Sequence, residues 1–175
     1  MERALALAMS KPHRTKTTDV TATHARTFFV TTKTAQCRSL FQTDRMANLF
    51  IDVLRQNMRA GHFYVHEFVV MPDHVHILLT VPADSTVEKA VQFIKGGFSF
   101  RAGRELGFKG EVWQVGFSEV RVFDDASFAL HKSYIENNPV KRGLVSAPEK
   151  YPFGSTFLKS LKKDQVLREQ GLKPE

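Results

Sequence analysis

The spacing of apolar positions changes several times along the chain, and each change marks an element. From Ala25 to Thr32, Phe28, Phe29 and Val30 stand among β-branched neighbours, a strand-like run. Residues 44–60 then place Met46, Leu49, Phe50, Val53, Leu54 and Met58 three and four positions apart, which predicts an amphipathic helix ending at Gly61. Two apolar runs follow, Phe63–Val70 and His74–Val81, joined by a Met-Pro-Asp connection that reads as a tight hairpin. Residues 86–106 predict a second helix, capped by Ser85 or Thr86, with Val87, Val91 and Ile94 on one face and a weak point at Gly96-Gly97. Val112–Phe117 predicts a fourth strand. A further helix, Asp125–Asn137, is capped by Asp124 or Asp125 and closed by Pro139.

The order β-α-β-β-α-β is the ferredoxin-like, RRM-like split arrangement of the α+β class, an antiparallel sheet with two helices on one face. The extra helix after it is the natural cover for the other face. Residues 1–23 read as a basic tail, 24–158 as one domain and 159–175 as a charged tail with room for one short helix.

Within the second hairpin strand, His74 and His76 are two residues apart and share one face, while Val75, Ile77 and Leu79 point to the other. Two neutral imidazoles side by side make most of a divalent-metal site. On the covering helix, Tyr134 and Asn138 are four residues apart and so lie on one side. A carboxamide oxygen with two imidazoles suits a hard or borderline ion, Mg or Mn, with water completing its shell. A phenol beside such an ion is a nucleophile for phosphorus, and its attack leaves a phosphotyrosine. Each part has a plainer meaning taken alone: a chance His-x-His, a core tyrosine, a helix-ending asparagine. Their agreement with the topology favours the chemical one.

Charge adds a partner. The formal net charge is +7 with no long acidic run, which favours a polyanion, nucleic acid before an anionic membrane. Lys95, Arg101, Arg104 and Lys109 fall in and after the second helix, and Lys141-Arg142 directly after the last; these are candidate phosphate contacts. Trp113, Phe117 and Phe98 are candidates for stacking on bases, or ordinary core aromatics. His131, one turn before Tyr134, is within reach of the site but reads better as a helix-surface residue. Glu67 and Asp73 are candidate extra metal neighbours, of which Asp73 lies off the His face and reads better as a turn former. The single cysteine, Cys37, excludes a disulfide framework and a thiolate zinc cluster. No apolar run approaches the roughly 20 residues that span a bilayer. The apolar stretch 4–9 is too short for a signal peptide, so the expectation is a cytoplasmic protein.

The segments MPDHVHILL, VWQVGF, YIENNPVKRGLV and YPFGS, in that order, resemble the REP-associated tyrosine transposases, a branch of the HUH single-tyrosine transposases. The resemblance covers residues 25–157. It implies that His74 and His76 are the metal pair, Tyr134 the nucleophile and Asn138 the polar third ligand. It further implies cleavage of single-stranded DNA near a hairpin, a 5′-phosphotyrosine link, and rejoining by a free 3′-hydroxyl, in a monomer or a homodimer. One departure is plain: where members often read Asp-His-x-x-Arg after the VWQVGF block, this chain has Glu119, Val120 and Phe123. Two other functions stay open: a domesticated, catalytically silent nucleic-acid-binding protein on the same fold, and a metallohydrolase in which water attacks.

Overall fold

A computed structural model describes residues 23–169. Its four strands are β1 (Arg26–Lys33), β2 (Tyr64–Met71), β3 (His74–Val81) and β4 (Ser118–Val122). They form one sheet in the order β2-β3-β1-β4, with every neighbouring pair antiparallel. Helices α1 (Asp44–Arg59) and α2 (Val87–Leu106) connect β1 to β2 and β3 to β4, the split arrangement that the apolar pattern predicts.

Alternation divides the sheet into two chemistries. Phe28, Val30, Val75, Ile77 and Leu79 pack with Phe50, Val53, Leu54, Val91, Ile94 and Phe98 of α1 and α2 in the main core. Phe29, Val69, Met71, Leu78 and Val122 face the other way and form a smaller core. Helix α3 (Asp125–Lys141) covers that second face, with Ile135 in the small core. Helix α4 (Ser155–Glu169) packs beside β2 and runs across the boundary expected at residue 158, and the tail expected over residues 1–23 lies almost wholly outside the described residues.

Caps follow the sequence. Thr86 accepts a hydrogen bond from Lys89 N at the start of α2, and Asp124 accepts one from Ser127 N at the start of α3. The Gly96-Gly97 pair does not interrupt α2, and a Cβ on Gly97 would meet Val53 Cγ1 of α1 at 3.5 Å, an ordinary packing contact.

Two expectations need correction. The fourth strand is Ser118–Val122, not Val112–Phe117. The earlier segment is a loop: Gly116 has φ of 77°, and Lys95 Nζ donates to the carbonyls of Gln114 and Gly116 at 2.8 Å each. Val112 is buried there and Trp113 and Phe117 partly so, as loop packing, while Val115 is exposed; Ser-Glu-Val-Arg-Val instead carries the period of two of a half-covered edge strand. Pro139 does not close the last helix either. Helix α3 continues to Lys141, because only the bond to the Ile135 carbonyl is lost and Ile135, Asn138 and Pro139 are all buried against the sheet. The stop comes at Gly143, at φ of 68°, where Gly143 N bonds Val140 O and Leu144 N bonds Pro139 O. That pair of bonds is a Schellman motif.

Candidate active site

The β2–β3 turn is only Pro72 and Asp73, and neighbouring segments hold it by its carbonyls. Thr34 donates to Asp73 O through its backbone N (2.9 Å), its hydroxyl lies between Asp73 O (3.0 Å) and the closer Arg38 O (2.6 Å), and Phe41 N donates to Pro72 O (3.0 Å). Thr34 opens a segment in which Gln36 and Cys37 both take positive φ, 57° and 51°. That conformation is costly for non-glycine residues and holds the segment turned.

His74 follows the turn directly and His76 lies two residues on, on the face beneath α3. Both are buried, and their ring centroids are 4.7 Å apart. Each ring is oriented through the same atom. His74 Nδ1 lies 2.6 Å from Asp73 Oδ1, and His76 Nδ1 lies 2.8 Å from Thr31 Oγ1, its register partner on β1. Burial lowers the pKa of both, His76 far more. In His76 the neighbouring His74, Arg142 and Lys33 push the same way, while in His74 the Asp73 bond opposes the fall. Both rings are therefore neutral at pH 7.

Helix α3 brings Tyr134 to this pair. The phenol ring lies 5.3 Å from His76 and 5.8 Å from Phe29, edge-on to Phe29. Burial raises the Tyr134 pKa, countered by a side-chain hydrogen bond from Asn138 and by the charges of Lys141 and Arg142. Asn138 is 5% exposed, and its Oδ1 is buried without a hydrogen-bond partner. Lys141 Nζ sits 5.8 Å from the Tyr134 ring centroid. Among the described residues no three His, Cys, Asp or Glu side chains converge on one point.

The structure thus gathers His74, His76, Tyr134, Asn138, Lys141 and Arg142 on one side of the sheet. Lys95, Arg101 and Arg104 belong to α2 on the other side. Lys95 is bonded into the 112–117 loop, and Arg101 is paired with Asp52 at 2.6 Å and with Glu105. Phe98 is core, Trp113 donates to Lys95 O, and Phe117 packs against the same core. Glu67 is 1% exposed and ion-paired to Lys159 of α4.

Several contributors had no clear signal in the sequence. Thr31 and Lys33 reach the histidines only through the β1–β3 register. His131 is buried, not a surface residue: its ring stacks on Phe29 at 4.6 Å, and Phe29 also stacks on His76 at 5.5 Å. Its spacing of three from Tyr134 was the available clue. Val120 pairs with Phe29 and so lies on the site face, whereas Glu119 pairs with Val30 and lies on the helix face.

The family model for IS200-like transposases matches residues 20–138. The chain belongs to the IS200-like transposases. Among its relatives are REP-associated tyrosine transposases. That of Escherichia coli is 30% identical over 132 residues, spanning 75% of this chain and 76% of the relative. That of Haemophilus influenzae is 27% identical over 138 residues, spanning 73% and 78%. A REP-associated tyrosine transposase solved with a REP hairpin bound superposes with a TM-score of 0.61 at 26% identity, covering 95% of this transposase and 89% of that chain. A Deinococcus radiodurans structure shares the fold at 20% identity, with a TM-score of 0.50. The IS200-like match ends at Asn138, so the whole His-His, Tyr and Asn set lies inside it.

Proposed function

We propose that this transposase cuts and rejoins single-stranded DNA beside a hairpin, with Tyr134 as the nucleophile. The observation that carries the reading is the meeting of four side chains from two elements: His74 and His76 on β3, and Tyr134 and Asn138 on α3. In the reaction the Tyr134 oxygen bonds to phosphorus, the bond to the 3′ oxygen breaks, and the released 3′ oxygen takes up a proton. The 5′ side stays on the protein as a phosphotyrosine, and a 3′-hydroxyl attacking that link reverses the step and joins strands. No hydrolysis is needed at either stage.

The phenol must give up its proton, and burial works against this. Asn138 favours the phenolate by donating a hydrogen bond, and Lys141 and Arg142 favour it by charge. Lys33 and Arg142 stand close enough to bias both histidines, and the same charges suit a phosphodiester approaching from solvent.

The donor set fits a divalent ion, Mg or Mn. The two imidazoles make their side-chain contacts to Asp73 and Thr31 through Nδ1, and the Asn138 Oδ1 is a buried acceptor without a partner. His74, His76 and Asn138 would hold such an ion, and it would supply positive charge to the phosphoryl oxygens of a bound strand. The hairpin in the related solved complex supports hairpin-bearing DNA as the substrate.

The test is covalent trapping. Labelled single-stranded oligonucleotides carrying hairpins are incubated with the protein and Mg or Mn, then run on a denaturing gel beside Tyr134→Phe and His76→Ala. The expected result is a protein–DNA band that needs the metal, the tyrosine and the histidine. Cleavage that persists in Tyr134→Phe would transfer the nucleophile's role to water. Tight binding with no cleavage over a broad hairpin set would mark a silent DNA-binding protein.

A further inference from the structure

We propose that Asp73 and Thr31 are positioning residues for the site histidines: Asp73 fixes the proton of His74 on Nδ1, and Thr31 holds the His76 ring through its Nδ1, so that the Nε2 of each is left to a ligand. The inference rests on the reading of this face as the reactive one. It reaches further, because it assigns roles to two residues outside the His-His, Tyr and Asn set.

The argument starts from what each partner can offer. An ionised Asp73 is an acceptor only, so the hydrogen in its 2.6 Å contact belongs to His74 Nδ1 and the lone pair of that ring is left on Nε2. Thr31 Oγ1 can donate or accept at 2.8 Å, so it allows both tautomers of His76 and favours neither by itself. The two histidines are thus held unequally: His74 is fixed in one tautomer, and His76 is held in place but free to switch. A ligand that needs the Nε2 lone pair selects the form in which Thr31 accepts.

The holders are themselves held. Asp73 occupies a two-residue turn whose carbonyl accepts from the backbone N of Thr34, itself fully buried at the head of the Gln36–Cys37 segment. Thr31 stands in the middle of β1, paired with His76 on one side and with Ser118 of β4 on the other. Both residues are thus held by their backbones beside the imidazoles they contact. Partners of this kind behind ligating histidines change metal affinity by about 10- to 100-fold when removed.

The experiment reads the tautomers directly. Long-range ¹H–¹⁵N correlation spectra of the histidine rings are recorded at pH 7.5 on the full chain without metal or DNA, for wild type, Asp73→Asn, Thr31→Val and Thr31→Ser. Manganese affinity of each is measured by electron paramagnetic resonance. In wild type, His74 is expected wholly in the Nδ1–H form. Asp73→Asn presents an amide that can donate, so the Nε2–H form of His74 should appear and manganese affinity should fall about 10- to 100-fold. Thr31→Val should free the His76 ring and weaken manganese, with Thr31→Ser restoring it to within about threefold. A His74 ring in the Nε2–H form in wild type, or a spectrum unchanged by Asp73→Asn, would overturn the assignment. So would equal manganese affinity in Thr31→Val and wild type. A wild-type protein that takes up no manganese would remove the metal reading, while the ring spectra would still decide which nitrogen Asp73 fixes.

Discussion

Glu119 shows how much one carboxyl can shape this fold's response to pH. Burial and the nearby Glu88 push its pKa up to about 7, and its Oε2 has no hydrogen-bond partner. The folded protein therefore holds a proton there between the unfolded value near 4.5 and about 7, where the unfolded chain does not. The stability this gives is complete below 4.5 and is lost as pH rises through 7. Glu119→Gln should match wild type near pH 4.5 and exceed it at pH 8. Because the group is half exposed, the gain should be roughly 1 kcal/mol, a Tm rise of about 2–4 °C for a chain this size. Thermal melts at the two pH values check it; an equal shift at both would show that the carboxylate is not what strains the strand. The Asn138 oxygen makes the opposite case. A buried amide acceptor left empty costs about 1–3 kcal/mol, so Asn138→Leu should leave stability equal or higher while the DNA adduct is lost.

At the scale of elements, helix α3 combines stability with chemistry at one end. Its Schellman ending depends on Gly143 holding φ of 68°, and the turn it closes contains Asn138, whose carbonyl accepts from Arg142 N. Gly143→Ala puts a Cβ into a left-handed conformation and should cost about 1 kcal/mol. The melt should show a drop of about 2–4 °C. Adduct formation should slow by more than that loss of stability explains, because the frayed turn is the one that carries the amide. The helices and the hairpin were legible in the sequence because their periods and caps agree: Thr86, Asp124 and the Pro72-Asp73 turn each did what their chemistry predicts. The fourth strand was not, since apolar residues buried in a loop carry the same local signal as a strand; only Gly116 argued against it. The helix end was misread for a related reason. Proline's local penalty was visible, and the packing of Ile135 and Pro139 that outweighs it was not.

Taken whole, the molecule separates its two faces by task. One face of the sheet carries the main core under α1 and α2, and the other holds the site under α3. His74, His76, Tyr134 and Asn138 could be picked out because their intervals of two and four survive in strand and helix. Thr31, Lys33 and the buried place of His131 could not, because they depend on which strands become neighbours. The cations divide in the same way. Lys141 and Arg142 lie at the site, whereas Lys95 and Arg101 are engaged within α2 and its loop. Replacing Lys141 and Arg142 together with glutamine should weaken hairpin binding and reduce the salt slope by about 1.4 for single-stranded DNA, measured by anisotropy from low to high salt. Arg101→Gln should leave that slope unchanged and instead lower the melting temperature.

The site draws its histidines from β3, a strand paired on both sides, and its tyrosine from a helix resting on a small core. Amide protons exchange slowly only where opening them requires the protein to unfold around them. Those of His76 and Ile77 should therefore exchange on the timescale of global unfolding, and those of Tyr134 and Ile135 far sooner. A molecule caught between these two events would keep its imidazole pair assembled while Tyr134, the proposed nucleophile, had left it. Its capacity to cut DNA would end at a temperature where most of the protein still counts as folded.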